Sequence, residues 1–203
     1  MCKKLVFIGA SGHGKVLADM AELCGYTDII FLDDNPEVKT CGEYPVVGSS
    51  KDIDTYTDRD FFVSIGSNKV REKFQTILEN KGYRVISLVH PNATVAKSAT
   101  VGHGTAIMAG AVVNAYATLG RGCIVNTCAS VDHDCVLSPF VHVAVGAHVA
   151  GTVNIGTRAW IGAGATVSNN LSICEDCLLG AGAVAVKDIL ESGIYLGVPA
   201  KKK

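Results

Sequence analysis

From residue 89 onward, aliphatic side chains recur at every sixth position of the chain. The series runs without a gap through Val89, Val95, Val101, Ile107, Val113, Leu119, Val125, Val131, Leu137, Val143, Val149, Ile155, Ile161, Val167, Ile173 and Leu179. Four residues after most of these positions lies a smaller side chain, usually Ala, Cys or Thr. One large and one small apolar residue in every six predicts a narrow triangular prism that buries both sets.

Such a prism is built from stacked coils, because a single hexad cannot bury its apolar side alone. Three hexads make one coil, so the series predicts about five coils of parallel β-helix. Small residues also recur every third hexad, at Ala109–Ala111, Thr127–Ala129, Val145–Ala147, Ala163–Ala165 and Ala181–Ala183. They predict a column of small residues along one corner. A β-sandwich is excluded, because it would alternate at period two.

The segment before the repeat follows a different pattern, in which short apolar strands alternate with amphipathic helices. Residues 3–8 predict a strand, and a glycine-rich loop then leads into a helix at about 13–25. This arrangement is typical of phosphate binding, because backbone N–H groups at the helix start point at an anion. Ser11, Gly12 and His13 are therefore candidate substrate ligands. A plain strand-to-helix turn is the alternative.

Further candidate ligands follow the next strands. Three more strands are predicted at 28–32, 61–65 and 83–89, and one helix is predicted at 69–81. Asp33 and Asp34 follow one of these strands, and Gly66 follows another. Because the carboxyl ends of parallel strands meet at one edge of a sheet, we expect these residues and the glycine-rich loop to line one crevice. The segment is too short for a full dinucleotide-binding fold, so the expected ligand is a single nucleotide.

Charge divides the chain at the same place as the repeat. Residues 1–86 hold 24 of the 37 charged side chains of the 203-residue chain. We therefore expect an α/β, Rossmann-like domain at 1–86 that binds a nucleotide, and a β-helix domain at 87–203. The chain is 48% hydrophobic but only 6% aromatic, which argues against a core built around large rings.

The net charge of −1 argues against binding to nucleic acid or to a membrane surface. No run of apolar residues is long enough to span a bilayer, and no basic and apolar leader opens the chain. The eight cysteines of this apolar chain are expected to be reduced thiols, which predicts a cytoplasmic location. Cys174 and Cys177 form a lone C-x2-C pair, so no metal site is predicted.

One cluster along the prism carries candidate chemistry. Between residues 80 and 174 the acidic residues are Asp132 and Asp134, and they flank His133. An aspartate beside an imidazole orients the ring and raises its basicity, as a general base requires. Because adjacent strand residues point to opposite faces, at most one carboxylate is expected to contact the ring. Cys135 takes an inward position and is not expected to be a nucleophile. A surface histidine is the alternative.

The repeat and the ending Gly197–Lys201 resemble the left-handed β-helix of the hexapeptide acyltransferases. The whole chain is similar to bacterial nucleotide-sugar acetyltransferases, through the segments GASGHG, FLDD, IGSN and VDHDC. The UDP-4-amino-sugar N-acetyltransferases of the bacillosamine pathway resemble it most, and sialic acid O-acetyltransferases share much of the pattern.

This resemblance implies a left-handed coil, a homotrimer, and acetyl-CoA as co-substrate in grooves between neighbouring prisms, with no metal. It implies that His133 is the general base and Asp134 the assisting acid, and leaves the role of Asp132 open. His142, Ala163 and Ala181 match positions that contact acetyl-CoA in the family. The implied acceptor is a UDP-amino sugar, whose amine attacks the thioester directly.

Three other functions stay open. The acceptor could be a hydroxyl group of a sialic acid or another sugar, deprotonated by the same histidine. The chain could instead be a trimeric, non-enzymatic scaffold that binds nucleotide sugars. A carbonic anhydrase would need a metal held by three histidines, such as His133, His142 and His148.

Overall fold

A computed structural model describes residues 3–203, and Met1 and Cys2 lie outside the described residues. The chain forms two compact units, which divide between Leu88 and Val89. The first is an α/β unit and the second is a stack of short parallel strands. Within residues 3–203, no helix has the length and apolar character needed to cross a bilayer.

The first unit is built on a five-stranded sheet. Its elements are β1 (Lys3–Ile8), α1 (Gly12–Leu23), β2 (Tyr26–Leu32), β3 (Thr40–Cys41), β4 (Tyr44–Gly48), a 3-10 helix (Ser50–Thr55), β5 (Asp60–Val63) and α2 (Asn68–Asn80). The strand order is β3-β4-β2-β1-β5, with β3 and β4 antiparallel and the other pairs parallel. The carboxyl ends of β2, β1 and β5 therefore share one edge, where sheets of this kind bind ligands.

The elements predicted from the hydrophobic pattern agree with this unit except at its end. Three strands and both helices are confirmed within two residues at each end. The predicted strand at 83–89 is wrong, because Val85 makes only an isolated bridge to Phe61 and a strand forms only at Leu88–Val89. Strands β3 and β4 were not predicted, since they are short and mostly half-exposed and have no clear period.

The core of this unit contains stacked phenylalanine rings, so the expectation against an aromatic core is wrong here. Phe7, Phe31, Phe61 and Phe62 are fully buried, and the rings of Phe7 and Phe31 stack with centroids 5.0 Å apart. The expectation failed because the aromatic content was taken over the whole chain. That average includes the β-helix, whose main buried cluster consists of aliphatic residues, alanine and cysteine.

The second unit is a parallel β-helix with three faces, each a ladder of short strands. Face 1 contains Thr94–Val95, Val112–Val113, Ser130–Val131, His148–Val149, Thr166–Val167 and Val184–Ala185. Face 2 contains Thr100–Val101, Thr118–Leu119, Val136–Leu137, Asn154–Ile155 and Ser172–Ile173. Face 3 contains Leu88–Val89, Ala106–Ile107, Ile124–Val125, His142–Val143, Trp160–Ile161, Cys177–Leu179, Gly193–Leu196 and the antiparallel Lys201–Lys202.

The inward positions predicted by the sixfold pattern are confirmed along most of the β-helix. From Ile107 to Leu179, every residue of the series is at most 2% exposed. The first members depart from the prediction: Val89 is 39% exposed, and Val95 and Val101 are half-buried. The reason is that the first coil has another coil on one side only.

Each coil turns at three corners, and nearly every corner residue has left-handed backbone. These residues form three columns: Gly104, Gly122, Phe140, Arg158 and Asp176; Gly110, Cys128, Gly146, Gly164 and Gly182; and Tyr116, Asp134, Thr152 and Asn170. Glycine, asparagine and aspartate tolerate this backbone, whereas bulky and β-branched residues are strained by it. The second column confirms the predicted corner of small residues.

Thr152 is a β-branched corner residue with φ +61° and an exposed side chain. We expect Thr152→Gly to raise the free energy of unfolding by about 1 kcal/mol, because glycine adopts this backbone without strain. Chemical denaturation measures the change. The control is Thr166→Gly on a strand of face 1, which should lower it by roughly 0.5–1 kcal/mol. A similar decrease in the free energy of unfolding of both variants would contradict the proposal that Thr152 is strained at the corner.

Candidate functional site

The loop between β1 and α1 holds the helix close to the sheet. Gly9 has φ +103°, and a Cβ there would lie 2.5 Å from Cγ1 of Ile65. A Cβ on Gly14 would lie 2.9 Å from the carbonyl oxygen of Gly9. These glycines therefore serve close packing, and the loop leaves Ser11 and Gly12 exposed at the start of the helix.

The two aspartates after β2 tie three loops together. Asp33 accepts a hydrogen bond from the Ala10 N–H at 2.6 Å and another from the Asn35 N–H at 2.8 Å. Asp34 accepts one from the Ser50 N–H at 2.8 Å. The carboxylates thus join the glycine-rich loop, the turn after β2 and the start of the 3-10 helix.

These segments enclose a crevice of about 220 Å³ at the carboxyl edge of the sheet. Gly9, Asp33 and Asp34 form part of its wall, and Ile65 and Phe74 supply apolar surface opposite a polar edge. An apolar slot with a few convergent polar groups is typical of a small-molecule site. The structure therefore brings together the aspartates and the loop, as the sequence predicts.

The remaining predicted ligands of this unit do not line that crevice. Ser11, Gly12 and His13 follow the loop residue Ala10, and Gly66 follows Ile65 of the wall. Burial, assisted by the positive charge of a nearby arginine, lowers the pKa of His13 to about 4. At neutral pH His13 is thus uncharged, so it would contact a ligand as a neutral imidazole.

That arginine, Arg71, is a residue that the sequence analysis missed. Its side chain is fully buried, and its guanidinium donates to the carbonyl oxygens of Ile65 at 3.1 Å and Gly66 at 2.9 Å. It also donates to Oδ1 of Asn68 at 2.9 Å. Helix α2 therefore holds the turn after β5 in place through the Arg71 side chain. An arginine in a polar helix is ordinarily solvated, so its position in the sequence carries no signal of this role.

Arg71→Met should lower the free energy of unfolding by about 3 kcal/mol, because it leaves the acceptor oxygens of Ile65, Gly66 and Asn68 without their charged donor. Urea denaturation measures this loss. Lys73→Met, on an exposed position of the same helix, should change stability by less than about 0.5 kcal/mol. Equal effects of the two substitutions would show that Arg71 does not hold the turn.

In the β-helix, His133 and Asp134 form an exposed pair at a corner. Asp134 has left-handed backbone, with φ +57°, and its Oδ2 lies 2.8 Å from Nδ1 of His133. The hydrogen bond to Asp134 raises the pKa of His133, and the charge of Asp132 adds to the effect. The two side chains are 57% and 54% exposed. This geometry orients the imidazole and leaves Nε2 to exchange a proton.

Asp132 contacts the backbone of His133 and not its ring. Its Oδ1 accepts from the His133 N–H at 2.7 Å and from Nδ2 of Asn114, on the preceding coil, at 2.8 Å. Both hydrogen bonds lower the pKa of Asp132. One carboxylate therefore contacts the ring while the other fixes the turn, and Cys135 is fully buried beneath them as predicted.

His142 lies in a different setting from the exposed pair. Its side chain is buried, its Nε2 is 3.2 Å from Nδ2 of Asn126, and its ring lies 4.2 Å from the ring of Trp160. Its predicted contact with acetyl-CoA stays a prediction. A satisfied structural histidine was the alternative, and the contact with Asn126 fits that alternative too.

Ala163 and Ala181 lie on the corner column of small residues, and both are exposed. The Gly182 N–H donates to the Ala163 carbonyl at 2.9 Å, so the two coils stack directly. A Cβ on Gly146, Gly164 or Gly182 would meet nothing within 4 Å. The column is therefore an open strip of backbone, and its contact with acetyl-CoA stays a prediction. Among residues 3–203, no group of three or more potential ligand side chains is placed to hold a metal ion.

The chain resembles known proteins over its whole length. A family model described as the PglD N-terminal domain matches residues 4–78. The acetyltransferase domain of PglB from Neisseria gonorrhoeae FA1090, solved in complex with acetyl coenzyme A, is 40% identical with a TM-score of 0.96, and the match covers 100% of both chains. The chain belongs to the acetyl-CoA-dependent sugar N-acetyltransferases. The predicted left-handed β-helix and the use of acetyl-CoA as co-substrate are thereby confirmed.

Two other members of this family differ in the sugar nucleotide they are named for. A histidine-to-alanine variant of GDP-perosamine N-acetyl transferase from Caulobacter crescentus, solved with CoA and GDP-perosamine, is 36% identical with a TM-score of 0.95, covering 100% of this chain and 98% of that one. UDP-N-acetylbacillosamine N-acetyltransferase from Bacillus subtilis (strain 168) is 33% identical over 112 residues, 53% of this chain. The match spans 52%, about half, of that curated relative. Membership favours an acetyltransferase over a scaffold or a carbonic anhydrase.

Proposed function

We propose that the enzyme transfers acetyl from acetyl-CoA to the 4-amino group of a UDP-linked 4-amino-4,6-dideoxy sugar in bacterial glycan biosynthesis. The observation that carries this proposal is the exposed His133 imidazole, with Nδ1 held 2.8 Å from the Asp134 carboxylate. Such a ring can act as a general base at Nε2. A solved relative that carries a substituted histidine with CoA and GDP-perosamine bound is in keeping with a histidine of importance to the reaction.

The proposed reaction needs no acyl-enzyme. The Nδ1–H donates to Asp134, so the lone pair on Nε2 of His133 accepts a proton from the amine as its nitrogen attacks the thioester carbonyl carbon. The tetrahedral intermediate collapses as the carbon–sulfur bond breaks, and the proton on the imidazole passes to the leaving thiolate. Cys135 is excluded as a nucleophile, since it is fully buried and burial raises the pKa of its thiol.

Each unit would bind one of the two substrates. In the first unit, the crevice with Asp33 and Asp34 would hold the nucleotide sugar, with further contacts from residues at the ends of β1 and β5, namely Ser11, Gly12, His13 and Gly66. In the β-helix, His142, Ala163 and Ala181 would contact acetyl-CoA. We also propose a homotrimer, on the family resemblance, and a cytoplasmic location, on that resemblance and on the expectation of reduced thiols.

An amine acceptor is favoured over a hydroxyl, because the relatives described above are named as N-acetyltransferases. They differ in the nucleotide, so the assay includes both UDP-linked and GDP-linked 4-amino sugars. Release of the CoA thiol and the mass of the acetylated sugar report turnover. Failure to acetylate any such amine, with turnover of a sugar hydroxyl, would overturn the proposal and favour the O-acetyltransferase.

His133→Ala should lower kcat by roughly 10²–10⁴-fold, because the amine loses its general base. Steady-state assays with saturating acetyl-CoA measure this loss. The matched control is His103→Ala, an exposed histidine of the β-helix outside the proposed site, which should keep normal turnover. Near-normal activity of His133→Ala would rule out this base.

The pH dependence of kcat/KM tests the role of Asp134. His133 is a base only when neutral, so the rate falls as the pH drops through its pKa, which Asp134 raises. Asp134→Asn removes the charge, lowers the pKa of His133 and should move the acid limb to lower pH, with a plateau lower by about tenfold or more.

The acceptor amine titrates alike with wild type and with Asp134→Asn. The difference between their two pH profiles therefore reports the pKa of the His133 imidazole. Asp132→Asn serves as the comparison, because Asp132 acts on the ring only through its charge and should shift the limb less. An acid limb that stays in place, or moves to higher pH, in Asp134→Asn would contradict the assignment.

A further inference from the structure

Gly151 lies against the imidazole of His133, one coil further along the β-helix. The neighbouring Thr152 N–H donates to the His133 carbonyl at 2.8 Å, which fixes the register of the two coils. The Gly151 carbonyl accepts from the Asn170 N–H at 3.0 Å, on the coil after that. The backbone of this segment is therefore held between two ladders.

A side chain at position 151 would occupy the space of the ring. A Cβ built there would lie 2.5 Å from Nε2 of His133, 2.6 Å from Cε1 and 3.1 Å from Cδ2. Gly151 is not one of the left-handed glycines of the β-helix, so backbone conformation does not require glycine here. The requirement comes from the imidazole.

We propose that Gly151 is a positioning residue for His133: the missing side chain lets the ring lie against the next coil, within reach of Asp134. The inference rests on the proposed role of His133 as the base. The placement of the ring is nevertheless a separate claim, because it can be measured without turnover.

Other glycines of the β-helix serve a different purpose. A Cβ on Gly162 would lie 2.5 Å from the carbonyl oxygen of Leu179, which belongs to the backbone of the next coil. That backbone cannot shift without breaking a ladder, whereas the His133 side chain is 57% exposed and can move towards solvent if its hydrogen bond to Asp134 breaks. Gly151→Ala is therefore expected to fold and to displace the imidazole.

A displaced ring loses its hydrogen bond to Asp134. The ionisable groups that act on His133 are Asp134 and Asp132, on its own segment. The neighbouring coils contribute Asn114 and Gly151, which do not titrate. Moving the ring away from Asp134 should therefore bring the pKa of His133 down towards that of an ordinary histidine.

The experiment is NMR titration of histidine-labelled enzyme, wild type and Gly151→Ala, with the His133 resonance assigned from His133→Gln. We expect the pKa of His133 to fall in Gly151→Ala and kcat to drop about 10–100-fold, as small misplacements of a catalytic group do. The control is Gly180→Ala, where the new Cβ would meet the side chain of Leu196 instead. The pKa of His133 should not change in that variant.

An unchanged pKa of His133 in Gly151→Ala would overturn the inference, whatever the kinetics. If His133→Gln kept its turnover, the base proposal would fail, and the titration would still decide whether Gly151 places the ring. If Gly151→Ala did not fold, the same substitution is made in a His133→Ala background. Without the ring, the new Cβ meets no imidazole, so the double variant should be as thermally stable as His133→Ala alone. A double variant less stable than His133→Ala would also overturn the inference.

Discussion

The β-helix depends on turning the chain through left-handed backbone at its corners, every sixth residue. These turns keep consecutive coils in register through most of the β-helix, so the N–H groups along each ladder donate to carbonyls one coil further on. A residue's neighbours in space are therefore fixed by its position in the coil. The candidate site is built on this rule: Asp134 turns at a corner, and Asn114, Asp132, His133 and Gly151 meet through consecutive coils.

Because the corner imposes its backbone on whatever residue occupies it, an aspartate there gains a fixed direction without a helix or a long loop. The same rule places Arg158 and Asp176 in contact on another corner, through hydrogen bonds of 3.0 and 2.8 Å. Charged side chains on the prism are thus few, but they are held in register. The scarcity of charge along the repeat follows from its packing, and the acids that remain near His133 are ordered by its backbone.

Much of the fold could be predicted because the inward positions of a β-helix repeat at a constant interval. The alternation of side chains along a strand predicted that at most one of the two aspartates would contact the ring. What could not be predicted depends on contacts without a period. The buried guanidinium of Arg71 and the ring-filled core around Phe7 follow from the three-dimensional packing of the first unit. Gly151 had a usable signal, since it stands one coil after His133 and outside the sixfold series of left-handed corner residues, but only its nearness to the imidazole gives that signal a meaning.

The protonation states of Arg71 and His13 have a consequence for how the enzyme would respond to acidity. Arg71 keeps its proton at any physiological pH, and His13, with a pKa of about 4, stays neutral above about pH 5. These two groups therefore hold a constant charge while His133 changes its own. Acidification would therefore protonate the proposed base, His133, before it changed the charge of either group.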